Sequence, residues 1–223
     1  MLDTNKTNER LGILVNDHLT AIGINTPTTE RLYDEEIIKL GTIEQNFKNI
    51  LLTLGMDLSD DSLEETPSRM SKMWVNELNW GLHPKNFPKC TTVQNKMHYD
   101  EMVIERDITI MSVCEHHGVV IDGKCNIAYI PKDKVLGLSK LNRISEYFSR
   151  RPQIQERLTQ QIAETLKFIL DTEDVAVTIN AVHYCVKSRG VSDQSSSTIT
   201  SYTSGSFRDD PTCRKEFMLL CAR

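Results

Sequence analysis

Four consecutive residues, Cys114, Glu115, His116 and His117, put a thiol, a carboxylate and two imidazoles into a stretch whose flanks alternate like a β-hairpin. A thiolate and an imidazole at C-x-x-H spacing can reach one ion across a turn, and that donor pair favours zinc. A third ligand is offered by "HYC" at 183–185. The run Val175, Val177, Ile179, Ala181, His183, Cys185 alternates with period two, which predicts that His183 and Cys185 share one face of a strand. Cys114, His117 and Cys185 then make a Cys2His set. Three protein ligands leave the fourth tetrahedral position to water, as in catalytic rather than closed structural zinc. Closure by Cys125 or Cys213 stays open, and so does a reading of these groups as core thiols and hydrogen-bonded histidines. Neighbours on a strand point to opposite faces, so His116 and His117 meet the same ion only if the backbone turns there. His116 and His183 are the candidates for moving protons, because imidazole titrates at about 6.5 when unperturbed.

Anion chemistry is suggested by a second group. "GLSKLNRI" at 137–144 places Ser139, Lys140 and Arg143 at a helix start, where backbone N–H groups and the dipole already favour a phosphate. Lys187 and Arg189 in "VKSRG" follow the candidate metal segment directly. A polyphosphate would suit such a concentration of cations, and a solvated helix face is the alternative. "QIQERL" adds one carboxylate, Glu156, the group that reads guanidine-like N–H edges.

The elements that must position these groups are legible from periodicity. Ile37, Ile38, Ile43, Phe47, Ile50, Leu51 and Leu54 predict an amphipathic helix over 34–54, stopped by Gly55. Thr66-Pro67 starts another, whose stripe Met70, Met73, Trp74, Leu78 reads as core packing and ends before Gly81. Residues 82–100 read as a connection. Strands are expected over 101–113 and 119–130, with Asp122-Gly123 as a hairpin turn. Helices at 138–150 and 152–170, strands at 174–186 and 197–207, and a short helix from Pro211 complete an α+β order.

Composition sets the bounds. With 223 residues, 39% hydrophobic and 26% charged, the chain can bury a core as one domain with an appendage or two small ones. Lys and Arg total 26 against 31 Asp and Glu, a formal net charge of −5 that argues against nucleic acid as the main partner. No run approaches the roughly 20 apolar residues of a membrane helix, and the polar N-terminus is unlike a signal peptide, so no membrane and a cytoplasmic location are expected. Six cysteines are too few for a disulfide scaffold.

The motifs resemble the GTP cyclohydrolase I family. "TPSRM" at 66–70, "CEHH" at 114–117, "DGK" at 122–124, "AYIPKDKVLGLSKLNRI" at 128–144, "RRPQIQERLTQQIA" at 150–163 and "AVHYCVKSRGV" at 181–191 carry the resemblance, which spans roughly 34–223. It implies a tunnelling fold: an antiparallel sheet with two crossover helices, whose subunits form a β-barrel ring. The division would be an N-terminal helical region over 1–95 and a catalytic domain over 96–223. The normal assembly is a homodecamer with active sites at subunit interfaces. The implied reaction is hydrolysis of GTP to 7,8-dihydroneopterin triphosphate and formate, opening pterin, tetrahydrofolate or deazapurine biosynthesis.

Residue by residue, the resemblance makes Cys114, His117 and Cys185 ligands of Zn2+, which activates the water that attacks the guanine. His116 and His183 match proton-transfer groups, with His183 acting toward N7. Glu156, with Gln155 beside it, matches the grip on the pyrimidine edge, and Ser139 lies near the ribose. Lys140, Arg143 and Arg189 match triphosphate cations, and Arg69 one contributed by a neighbouring subunit. Cys125 finds no functional match and reads as a small core residue. The first thirty residues match no motif.

Overall fold

The computed structural model describes residues 2–222. Its chain is α+β, built on a five-stranded mixed sheet of order β5-β2-β3-β6-β7. β2 (Val103–Cys114) and β3 (Val120–Tyr129) pair antiparallel, as do β3 with β6 (Val175–His183) and β6 with β7 (Thr198–Thr203). The short β5 (Pro152–Gln153) runs parallel to the end of β2, matching Cys114 with Gln153. A separate ladder joins β1 (Thr92–Gln94) to β4 (Lys134–Leu136).

Eight α-helices are found among the described residues. Asn8 caps α1 (Glu9–Ala21), its side chain accepting from the Leu11 N–H. The sequence reading passed over α1, although an Asn cap followed by Leu11, Val15 and Leu19 at i, i+4, i+8 is its signature. α2 (Glu36–Thr53) ends as expected, with Gly55 at φ +81° just beyond it. Yet Leu51 alone is buried on α2, while Ile37, Ile38, Ile50 and Leu52 face out along it and Leu54 faces out at its end.

The helix expected from Thr66 to just before Gly81 divides into α3 (Thr66–Lys72), a π-helical stretch Met73–Leu78 and the start of a 3-10 turn, Trp80–Leu82. The widened stretch breaks the 3.6 period, so the Met70–Leu78 stripe is only half-buried or exposed instead of forming core. Trp74 from it stacks obliquely with Phe47 of α2, 6.1 Å between centroids.

α4 (Leu138–Ser149) and α5 (Gln155–Leu170) form the two-helix crossover. Their Leu141, Ile144, Phe148, Leu158, Ile162 and Leu166 are fully buried against Ile110, Ile121, Ile127, Val177 and Ile179 of the sheet. Val15, Leu19 and Phe87 belong to the same cluster, so one core crosses the division expected near residue 95. On the other face, Ala128 and Ala176 lie under Phe207 and Phe217 from α7 (Ser206–Asp209) and α8 (Pro211–Cys221). A bulge decides which β2 residues serve which face. Between Glu105 and Ile108, β2 spends one residue more than β3, with Asp107 at φ +56°. Ile104 therefore packs toward Phe207 while Ile108 and Ile110 enter the main core.

Two expectations are corrected. The hairpin turn lies at 115–119 rather than at Asp122-Gly123: Gly118, at φ +65°, donates to Cys114 O, and Cys114 N–H donates to Val119 O. Gly123 is a strand residue opposite Ala181, where an added Cβ would stand 2.4 Å from Asn180 O. Its role is close strand approach, which period and turn propensity do not reveal. The strand expected to reach residue 186 stops at His183, and α6 (Tyr184–Lys187) carries Cys185. Cys125 is a core residue with no exposed surface, as expected. No helix among the described residues is long and apolar enough to cross a membrane.

Gly123→Ala pushes β3 off β6. It is expected to cost about 1–3 kcal/mol, read as a lowered urea midpoint with unchanged slope.

Candidate metal centre

β2 and β6 run parallel to one another with β3 between them, so both leave the sheet at the same end. Ser112, Ile121 and His183 form one row across it, and each candidate cysteine lies two residues past that row. Two strand spacings separate β2 from β6, roughly 10 Å, too far for a shared ion. The backbone closes the gap from both sides. The turn at 115–118 swings His117 back over Cys114, and α6 curls Cys185 inward.

The result is a compact donor group: one ligand atom each from Cys114, His117 and Cys185, all within 4.8 Å of one another. Cys114 Sγ lies 3.7 Å from His117 Nδ1. A tetrahedron with Zn–S of about 2.3 Å and Zn–N of about 2.0–2.1 Å has edges of about 3.6–3.8 Å, which the Cys114–His117 edge matches, and the soft donor set suits zinc. Cys114 is buried, Cys185 half-buried and His117 exposed, which leaves the group open on one side. Cys125 and Cys213 take no part: the first is in the main core, and the second packs beside Phe207 and Phe217. Burial and the neighbouring Cys114 sulfur hold the Cys185 thiol above its ordinary range, opposed by nearby Arg189. A metal takes both thiols as thiolates and so releases their protons.

Because the chain turns, His116 and His117 are not on opposite faces. His116 Nδ1 is 3.9 Å from Cys114 Sγ, and the imidazole is otherwise in the open. His183 is held differently, by Gln155. That residue's amide nitrogen donates to Ile179 O, Thr198 O and Thr200 Oγ1, which fixes its orientation and turns Oε1 toward His183 Nε2 at 2.7 Å. Nε2 must therefore carry the proton, leaving Nδ1 free. Burial lowers the His183 pKa, with Glu156 nearby opposing. Gln155 was expected beside Glu156 on the substrate; its side chain is 1% exposed and its amide contacts His183 and the two strands. No sequence spacing signals this contact, since its partners come from β6, β7 and α5.

The remaining expected residues fall into two sets. Glu156, exposed in the first turn of α5, and Arg189 stand by the metal group. Ser139 is exposed at the start of α4, with Lys140 Nζ 3.5 Å from its hydroxyl. Lys140 and Arg143 stand near Cys90, whose burial pushes its thiol up to about 12 against their pull. Arg143 also lines a cavity of about 660 Å³ with Lys72 and Arg150. Arg69 is on the surface, paired with Glu65 at 2.7 Å. One chain thus gathers the candidate metal ligands with His116, His183, Glu156 and Arg189, while Lys140 and Arg143 stand beside Cys90 and Arg69 pairs with Glu65.

The model of the GTP cyclohydrolase I family matches residues 43–222. The chain belongs to the GTP cyclohydrolase I family. It is 53% identical to GTP cyclohydrolase 1 of Aliivibrio fischeri (strain MJ11) over 206 residues, 92% of this chain and 94% of that one. The protein of that name from Pectobacterium carotovorum subsp. carotovorum (strain PC1) is 52% identical over 92% and 93%. That of Histophilus somni (strain 2336) is 50% identical over 93% and 95%. Every motif from residue 43 onward that carried the resemblance lies inside the segment matched to the GTP cyclohydrolase I family.

Cys185→Ala is expected to leave the sheet intact and abolish stoichiometric metal binding, measured as zinc per chain by atomic emission after dialysis.

Proposed function

We propose that this chain is a zinc-dependent GTP cyclohydrolase acting in the cytoplasm. It hydrolyses GTP to 7,8-dihydroneopterin triphosphate and formate, the first step of pterin and folate biosynthesis. The observation that carries the reading is the three-donor group of Cys114, His117 and Cys185, open on one side, inside a chain of this family. Bound there, zinc supplies Lewis acidity and makes water a nucleophile near neutral pH.

The chain's own residues do the rest. His183, its Nε2–H fixed on Gln155, offers Nδ1 for proton exchange with the purine N7 side. His116, open to solvent beside Cys114, moves the second proton. The Glu156 carboxylate accepts from the two N–H groups of the guanine pyrimidine edge, a bidentate fit that adenine cannot supply. Ser139 contacts the ribose. Lys140, Arg143 and Arg189, with Arg69 of a neighbouring copy, neutralise the triphosphate.

A site so divided calls for assembly, and the reading is a tunnelling-fold homodecamer in which residues 96–223 form the catalytic ring and residues 1–95 the helical arm. Support comes from β7, an open sheet edge with Ile199 69% exposed, and from the uncovered isoleucines and leucines of α2. The neighbours of Arg69, Lys140 and Arg143, which are Glu65 for the first and Cys90 for the other two, are not residues of the metal group, and this points the same way.

Purified protein incubated with GTP should release formate and a dihydropterin chromophore in equal amounts, both abolished by a chelator and restored by zinc. A zinc-loaded protein that binds GTP and makes neither product would sink the reading. Glu156→Gln is expected to lower kcat/KM for GTP about 10- to 100-fold, the value of a hydrogen bond to a charged group. Sedimentation velocity should find a decamer, with activity lost in step with dissociation.

A further inference from the structure

We propose that the ion pair between Glu115 and Arg157 is a positioning clamp for the metal ligands. It fixes the turn bearing Cys114 and His117 against the helix that also orients the end of β6. The inference rests on the zinc reading above. Arg157 Nη1 donates to Glu115 Oε2 at 2.7 Å and Nη2 to Oε1 at 3.3 Å, a fork-to-carboxylate pair across the fold. The Arg157 side chain is 15% exposed and the Glu115 side chain 26%, with Glu115 itself at the surface in the turn.

Its location gives the pair its function. Glu115 follows Cys114 directly, and its N–H donates to Gln153 O, which stitches the start of the turn to β5. Arg157 lies in the first turn of α5, two residues from Gln155, whose amide binds Ile179 O of β6 and whose Oε1 faces His183. One helical turn therefore grips both ligand-bearing segments, through Arg157 on one side and Gln155 on the other. α5 itself cannot shift, because Leu158, Ile162 and Leu166 are fully buried.

The other basic side chain facing Glu115 is His116, with Nε2 3.9 Å from Oε1, beyond hydrogen-bond range.

The test uses the full-length chain stripped of metal, titrated with zinc against a chromophoric chelator and, separately, with cobalt(II), whose visible spectrum reports coordination geometry. Arg157→Ala is expected to weaken zinc binding about 10- to 100-fold, as loss of partners that orient metal ligands does. The thermal midpoint of the metal-free protein should stay at the wild-type value. Arg157→Lys, which keeps the charge but cannot bridge both oxygens, should fall between the two. Arg157→Ala protein with wild-type zinc affinity and cobalt spectrum would overturn the clamp, as would a metal-free midpoint that falls in proportion to the affinity in both variants. Wild-type protein that takes up neither metal would instead overturn the zinc reading itself.

Discussion

The site depends on one constraint: two strands separated by a third must deliver ligands to a single point. β3 sits between β2 and β6, so straight continuation would leave Cys114 and Cys185 on opposite sides of it. The chain meets the constraint by ending both strands early. β3 begins only at Val120, which clears the space, and the turn at 115–118 and the single helical turn of α6 fill it from either side. Gly118 is required by its φ of +65° and by Trp74, whose ring would stand 2.9 Å from an added Cβ. The π-helical stretch of the N-terminal half thus packs directly on the turn that carries the ligands.

The crossover gives that end of the sheet its rigidity. Between α4 and α5 the chain dips to form β5, which pairs with the last two residues of β2. Gln153 in it donates to Phe148 O and Gln161 Oε1, and Arg151 just before it is a buried guanidinium, 2% exposed. That cation lies 4.6 and 4.8 Å from the ring centres of Tyr147 and Phe148 and donates to Gly81 O. Desolvation lowers its pKa, and the aromatic faces with the carbonyl stand in for a counter-ion. Thr26 and Gly81, both contacted by Arg151, bring the N-terminal segment to within a few residues of the metal ligands. The N-terminal helices are therefore part of the frame of the site.

Polarity inside the site follows the same economy. Gln155 is buried, yet every hydrogen of its amide nitrogen has an acceptor and its oxygen has the imidazole. A group so fully satisfied specifies geometry, because any rotation would leave buried donors without partners. Gln155 thereby fixes the orientation of His183, and burial lowers the pKa of that imidazole against the pull of Glu156, before any ligand arrives.

Much of this was written locally in the sequence. The C-x-x-H spacing and the return of a cysteine in "HYC" named the three donors that the fold brings together, since donor chemistry is a property of residue type. The 3.6 period named α2, α4 and α5, and alternation named β2, β3 and β6, because those periods reflect which side chains face a core. The sequence did not say that Asp122-Gly123 lies within a strand, that β6 stops before Cys185, or that Gln155 turns inward. Each depends on what another segment does: a neighbouring backbone at Gly123, a metal partner across β3, and carbonyls from two strands. Local propensity determines which elements form and which chemistry they carry. Where an element ends and what a polar side chain faces are decided by packing between segments distant in the chain, which only the tertiary structure holds.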